Sequence, residues 1–341
     1  MSRRAAALLS FVAWTALGSD AAFAAPAPTA APRMKSTVAS TTAHRSRTPA
    51  ARDPGSRANA ARNDYADARF ATVLGSGLAD FYGERFTQAQ NEFTQALHIV
   101  PDNVLAITFL DASAAHRLGA LDGVTNDAED AVADAPKSYA NHLRLGFAYL
   151  FSSLIGRDHS QDGRDEFNAA LQLDPAAPGA HVGLGIMRFN ERSTNRAKIE
   201  FLAALRSDPS DVLAREYLGE LYQTDLHDPE RGLSYVIDVP NLVPQYADID
   251  FHIGSLLYDL HQDDAAIDYL RRGITLDRSH VGEAGRHGYT LIARIEIDEH
   301  QYDRARQELD AALAADVDTI YARTLLAKVR DADVKTSPPP K

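Results

Sequence analysis

Prolines at regular intervals constrain this chain more than any other feature. They stand at Pro101, Pro136, Pro175, Pro209 and Pro244. Two intervals are 35 residues and one is 34; only Pro136 to Pro175 is longer, at 39. A helical pattern with this period reads as stacked helical hairpins, each too small to bury its own apolar side and completed by its neighbour. The expected architecture is all-α. It is a right-handed α-solenoid of about seven hairpins over residues 63–332, closed by a C-terminal capping helix.

The flanks differ in composition. Arg3 and Arg4 precede an apolar run from Ala5 to Leu17, and Ala22-Phe23-Ala24 follows. That is the pattern of a secretory leader, with cleavage expected after Ala24. Residues 25–62 are rich in Ala, Pro, Ser, Thr and Arg. Arg33, Lys35, Arg45, Arg47, Arg52, Arg57 and Arg62 stand there against one acid, Asp53. So few large apolar side chains cannot offset chain entropy, so this segment is expected to be a disordered basic linker. The tail 333–341, with three prolines, is expected to fray.

The formal charge of the whole chain is −12. Less +1 for residues 1–24 and +6 for the linker, it leaves −19 on residues 63–341. A body this acidic repels phosphate, so nucleic acid is not an expected partner. Cysteine is absent, which removes disulfides, thiolate metal sites and cysteine nucleophiles. No segment of the mature chain is long and apolar enough to read as a membrane span. The expected location is the periplasm or beyond.

Several positions repeat in register with the prolines. Glycine comes ten residues after each of the last four: Gly146, Gly185, Gly219 and Gly254. Gly77 and Gly288 fall where the same period places them. Small residues stand twelve before the proline or its equivalent, including Ala89, Gly163, Ala197 and Ala305. Large apolar residues stand eight before it, including Phe93, Phe167, Phe201 and Leu270. Ala96, Ala170 and Ala204 stand five before it. Glycine and alanine let two helices of a hairpin approach closely, and the large residue fills the seam to the next hairpin. The proline follows a helix end because it has no N–H and clashes with a continuing turn. Asp174 and Asp208, just before Pro175 and Pro209, can cap the next helix or brace the turn.

These residues resemble the tetratricopeptide repeat (TPR) family. Leu145-Gly146 with Tyr149, and Leu218-Gly219 with Tyr222, match its first helix. Ala89, Phe93, Ala96 and Pro101 match its second helix, as do Ala197, Phe201, Ala204 and Pro209. The likeness spans about residues 65–330. The family's aromatic at the fourth position of the first helix is largely missing, with His142 and His181 there instead. In the second unit Asp111 replaces the glycine. The surplus after Pro136 falls around residues 152–161, as a longer helix or a short loop. A second surplus lies between Asp277 and Val317; Tyr289, Ile292 and Ala293 offer an alternative register that moves it to about 279–285. Asp318 to Asp331 reads as the capping helix, with Ile320, Leu325, Leu326 and Val329 as its apolar side.

The resemblance implies that the first helices line a concave face. Its stripe includes Leu143, Phe147, Leu150 and Phe151, then Val182, Ile186 and Phe189. Glu216, Glu220, Phe251 and Tyr258 continue it. The candidate partner-binding residues are Phe147, Phe151, Phe189, Glu216, Glu220, Phe251 and Tyr258. Mixed aromatic and acidic side chains suit a peptide or protein with apolar anchors and some positive charge. The Lys, Asn and Arg clamp that grips a chaperone's C-terminal carboxylate is not present at the central positions.

No catalytic residue, metal ligand or cofactor emerges. The twelve histidines are scattered and form no known metal spacing. Gly179, Gly183 and Gly185 lack the preceding strand and the lysine that a phosphate loop needs. The expectation is therefore a non-enzymatic, exported interaction scaffold. A noncatalytic adaptor subunit of an envelope or secretion assembly is the narrower alternative, and an enzyme with a site between repeats is the other.

Overall fold

The computed structural model describes residues 63–336, apart from 118–119, 155 and 158. The leader and basic-linker expectations, and the tail from 337, lie outside the described residues. Sixteen α-helices follow one short 3₁₀ turn, and the described residues contain no strand. They form seven hairpins. The first four are α1 (Ala68–Tyr82) with α2 (Phe86–Ile99), α3 (Val104–Ala115) with α4 (Ala120–Asp134), α5 (Tyr139–Leu154) with α6 (Ser160–Leu173), and α7 (Pro178–Asn190) with α8 (Thr194–Ser207). In the fifth, α9 (Val212–Thr224) pairs with α10 (Pro229–Val236), which the single turn α11 (Val239–Leu242) extends. The last two are α12 (Ala247–Asp259) with α13 (Asp263–Leu276), and α14 (Glu283–Asp298) with α15 (Tyr302–Ala314). Helix α16 (Thr319–Thr336) closes the stack.

Local chemistry sets the helix ends. Asp67, Asn103, Asp211 and Asp228 accept hydrogen bonds from the first amides of α1, α3, α9 and α10. Asp208 instead braces its turn, accepting from Ser210 N at 2.9 Å and Ser210 Oγ at 2.7 Å. Asp174 accepts from Ala176 N at 3.0 Å in the same way. The turns inside four hairpins share one geometry. Glu84, Arg192, His261 and His300 take the left-handed conformation, with φ of 58°, 58°, 56° and 61°. The amide after each reaches back to the helix: Arg85 N to Asp80 O, Ser193 N to Arg188 O, Gln262 N to Leu257 O and Gln301 N to Glu296 O. This Schellman closure usually employs glycine. Two of the scattered histidines therefore occupy fixed turn positions.

The repeated residues pack as the spacing predicts. Ala89, Phe93, Ala96, Ala197, Phe201 and Ala204 are fully buried. Gly146 and Gly185 lie so close to Phe167 and Phe201 that a Cβ would fall 2.6 Å and 2.5 Å from the rings. Gly219 and Gly254 meet Val236 and Leu270 equivalently. Pro101 and Pro209 sit in the turns after α2 and α8. Where the aromatic is missing, His142 and His181 hydrogen-bond to Glu166 and Glu200, at 2.6 Å and 2.8 Å. Each glutamate directly precedes the buried phenylalanine of its own hairpin.

Both surpluses resolve into a longer first helix plus a longer turn. Helix α5 has 16 residues against 13 in α7, and it ends at Leu154, with five residues between it and Ser160, where α6 begins. Helix α14 also has 16 residues, after a six-residue turn at 277–282. That turn is built on Asp277, which accepts from Val281 N, Gly282 N and Gly285 N. The alternative register is the one adopted. Gly288 abuts Ile274 of the preceding hairpin, whereas Ala293 packs in one cluster with Leu309 of its own. In the capping helix Leu325, Leu326 and Val329 are buried, but Ile320 is 85% exposed and belongs to the outer side.

The arrangement holds one feature that no single repeat foretells: the solenoid curls until its first hairpins meet its sixth. Tyr82 Oη donates to Asp248 Oδ2 at 3.2 Å, across 166 residues of sequence. The rings of Phe109 and Tyr246 meet edge to face at 5.6 Å. Helix α3 lies at the centre of this closure, against α1, α5 and α9. Every residue from Val104 to Ala114 is buried. A helix apolar all round belongs inside a core, and Val-Leu-Ala-Ile-Thr-Phe-Leu at 104–110 is such a sequence.

Candidate functional site

The closure divides the inner face. Over the first four hairpins its apolar residues are covered. Phe147, Phe151 and Phe189 are 2%, 4% and 4% exposed, and Leu143, Leu150, Val182 and Ile186 are buried beside them. Phe147 meets Phe167 edge to face at 5.1 Å, and Phe189 meets Tyr217 at 5.7 Å. Further along, Glu216, Glu220, Phe251 and Tyr258 stay partly accessible. They sit on α9 and α12, whose exposed rows are tied together by hydrogen bonds. Gln223 Nε2 donates to Ser255 Oγ at 2.9 Å and to Asp259 Oδ2 at 2.6 Å. Tyr258 Oη donates to Asp298 Oδ2 at 2.7 Å, with the Arg294 guanidinium 5.3 Å from its ring centre. Phe251 lies 6.1 Å from the His287 ring.

Glu216 and Glu220 belong to a larger group of acids. Tyr246 Oη donates to Glu216 Oε2 at 2.6 Å. Burial pushes the Glu216 carboxyl up to about 8, against that hydrogen bond, with Asp248 and Glu220 adding repulsion. Burial likewise raises Glu220 to about 8, helped by Asp225 and opposed by Arg192. One Glu220 oxygen, Oε1, is buried without a hydrogen-bond partner. Glu283, at the start of α14, is driven well above the ordinary glutamate range by burial and by Asp248, Glu220 and Glu216. Asp248 itself accepts from Glu283 N at 2.7 Å and Ala284 N at 3.3 Å, so it caps α14 while holding Tyr82. Arg286 faces Asp248, Asp277, Glu283 and Asp318.

Three partly accessible glutamates thus line the open part of the inner face, with aromatic rings beyond them. Glu283 had no sequence signal, because the surplus before α14 obscured its register. Asp248, Asp277 and Tyr246 are equally illegible, since their roles depend on the closure.

Buried acids make stability depend on pH. Asp111 is 2% exposed, and burial lifts it to about 8 against the pull of Arg144. Asp250 and Asp277 are raised by burial to about 7. A carboxyl raised above its unfolded value of about 4 contributes stability that is present below that value and lost as pH rises through 7–8. Burial lowers His116 and His252 to about 4, and these oppose the trend only below about pH 6.5. The folded chain is therefore expected to melt at a higher temperature at pH 6.5 than at pH 8.5. An equal or lower melting temperature at pH 6.5 would contradict these assignments.

Among the described residues, no group of three or more His, Cys, Asp or Glu has the geometry to hold a metal ion. No described helix is long and apolar enough to cross a membrane.

Comparison with known proteins places the fold. A family model described as tetratricopeptide repeat matches residues 250–280, which span most of α12, all of α13 and part of the turn after it. Most of the other hairpins repeat these residues in the same register, so the described residues form a stack of tetratricopeptide-like hairpins around the matched one. The type IV pilus assembly protein PilF of Pseudomonas aeruginosa is 24% identical over 194 residues, covering 57% of this chain and 72% of that protein. A solved structure of Pseudomonas aeruginosa PilF is 17% identical with a TM-score of 0.46, covering 63% of this chain and 95% of that one. The human IFIT1 dimer with PPP-AAAA superposes with a TM-score of 0.52 at 12% identity, covering 74% of this chain and 61% of that one. That last likeness is one of fold.

Proposed function

We propose that the chain is a non-enzymatic scaffold for protein–protein interaction that works in the cell envelope and holds a basic polypeptide segment on the open part of its inner face. The observation that carries this reading is the convergence of Glu216, Glu220 and Glu283 on an inner face that Phe251, beside His287, and then Tyr258 continue. Burial and mutual repulsion make all three carboxyls hold their protons more tightly than free glutamates, and a lysine or arginine inserted among them would favour their ionised form. The bound cation replaces their protons and relieves their repulsion. Phe251 and, further along the face, Tyr258 supply apolar contact for the rest of the segment. The covered residues Phe147, Phe151 and Phe189 would then support the face from below.

Export rests on the leader pattern of residues 1–24. A role as adaptor in an envelope assembly is the narrower reading, and the similarity to a type IV pilus assembly protein favours it.

The test is a paired substitution in the mature chain, whose first residue should be Ala25. Binding is measured calorimetrically with a synthetic peptide of alternating lysine and leucine. Affinity should rise between pH 6.5 and pH 8.5, with proton release, and fall with added salt. Glu216→Lys together with Glu220→Lys should weaken it at least tenfold at low salt. Phe251→Ala should weaken it at every salt concentration. Equal affinity in parent and variants, all shown to be folded, would rule out this surface.

A further inference from the structure

A second polar site lies away from the inner face, in the seam between the last two hairpins. A groove enclosing about 500 Å³ runs between α13 and α15, with Glu296 of α14 at its floor. Glu296 is 2% exposed, and its Oε2 is buried with no hydrogen-bond partner. Its Oε1 is 3.9 Å from Arg271 Nη2, a long contact, while the same nitrogen is 2.8 Å from Glu308 Oε1. Arg271 is thus committed mainly to Glu308. Arg304 donates to Gln301 Oε1 at 2.7 Å. Asp264 and Asp268 complete the walls, so four carboxylates face two guanidinium groups. Burial and Glu308 raise the Glu296 carboxyl to about 7, against the pull of Arg271.

The sister hairpins fill this place in different ways, and the third shows one that closes the seam. Three residues after the glycine of the first helix, the chain has Asp80, Tyr149, Arg188, Tyr222 and Leu257. Ala293 takes the glycine position in the last hairpin, so Glu296 is their counterpart. Tyr149 closes its own seam by donating from Oη to Glu129 Oε1 at 2.8 Å. Glu129 occupies on α4 the position that Arg271 occupies on α13. Where a phenol ring fills the seam in one place, a shorter carboxyl stands in the other and the groove stays open. Burying a carboxyl where a tyrosine or leucine would pack costs stability unless something occupies the space.

We propose that this groove binds an alkylammonium group, with Glu296 as its anchor, Glu308 as second acceptor and Ile267 against the methylene stem. The charge balance, the unpartnered Glu296 oxygen and the aliphatic Ile267 in the wall favour a primary ammonium on a short aliphatic chain, such as the end of a lysine side chain.

The experiment uses the full mature chain and follows the side-chain Nε–H signal of Arg271 by NMR. n-Butylammonium is the probe, with tetramethylammonium at matched ionic strength as the control that has charge but no donor. The parent should show a saturable shift with butylammonium only. Glu296→Gln, which keeps the shape and removes the charge, should weaken the apparent affinity at least tenfold. Glu296→Tyr, which supplies the residue of the third and fifth hairpins, should abolish the response; if it fails to fold, the glutamine variant decides. A three-residue peptide centred on lysine, set against its norleucine counterpart, separates a polypeptide lysine from a free amine as the natural source. The absence of a saturable shift in the parent, an equal response to both cations, or undiminished affinity in Glu296→Gln would each overturn the proposal.

Discussion

Phe109→Ala is expected to destabilise the chain by about 3–5 kcal/mol, the range for removing a fully buried phenylalanine. Its ring is completely buried and meets four others: Phe81 at 5.0 Å, Tyr246 at 5.6 Å, Phe93 at 5.7 Å and Tyr82 at 6.1 Å. Two belong to α1, one to α2 and one precedes α12, so the substitution loosens the first, second and sixth hairpins together. Aromatic pairs of this kind add about 0.5–1.5 kcal/mol each beyond their buried area. The effect should not stay local. Hydrogen exchange should accelerate in α1, α3 and α12, while α15 and α16 keep their protection. Small-angle scattering should show a larger radius of gyration as the curl relaxes. A variant with parental stability and unchanged dimensions would mean that the first and sixth hairpins do not hold each other.

Phe201→Ala should cost a comparable ~3–5 kcal/mol, by a different route. Phe201 is fully buried on α8, stacks on Tyr217 of α9 at 5.3 Å and fills the space left by Gly185. It therefore joins two successive hairpins. In a stack of repeats, stability is roughly the sum of each unit and its interfaces with neighbours. Losing this interface should split the denaturant melt into two steps rather than lower one midpoint. A single transition with the parental midpoint would show that the ring is not an inter-hairpin wedge.

Hairpin number, and the register of every hairpin with ordinary spacing, were legible because they are local. Glycine ten residues after proline, and phenylalanine eight before it, carry their meaning within one hairpin. The places of Ala197, Phe201 and Gly219 followed from that spacing. The closure was not legible, because the contact of Tyr82 with Asp248 depends on small rotations accumulated over five hairpins. Only the unbroken apolar run in α3 hinted at it, and a buried helix and a binding surface look alike in sequence. That is why Phe147, Phe151 and Phe189, which share a stripe with Phe251 and Tyr258, end beneath the surface while the latter two remain partly open. Glu216 and Glu220 were found because α9 has an ordinary register. Glu283 was hidden by the longer turn before α14, and Ile320 was misplaced because the last helix has no following repeat to cover its outer side.

The central claim is that the open, acidic part of the inner face is where a polypeptide is held. It is tested most directly by retrieving partners from an envelope extract of the source cell, using as baits the parent and the folded Glu216→Lys, Glu220→Lys double variant at low salt. The account predicts that at least one protein retained by the parent is lost from the variant. That protein should also be released from the parent by raised salt, and a basic segment of it should bind the purified parent on its own. Identical retention by both baits, with the same salt dependence, would contradict it.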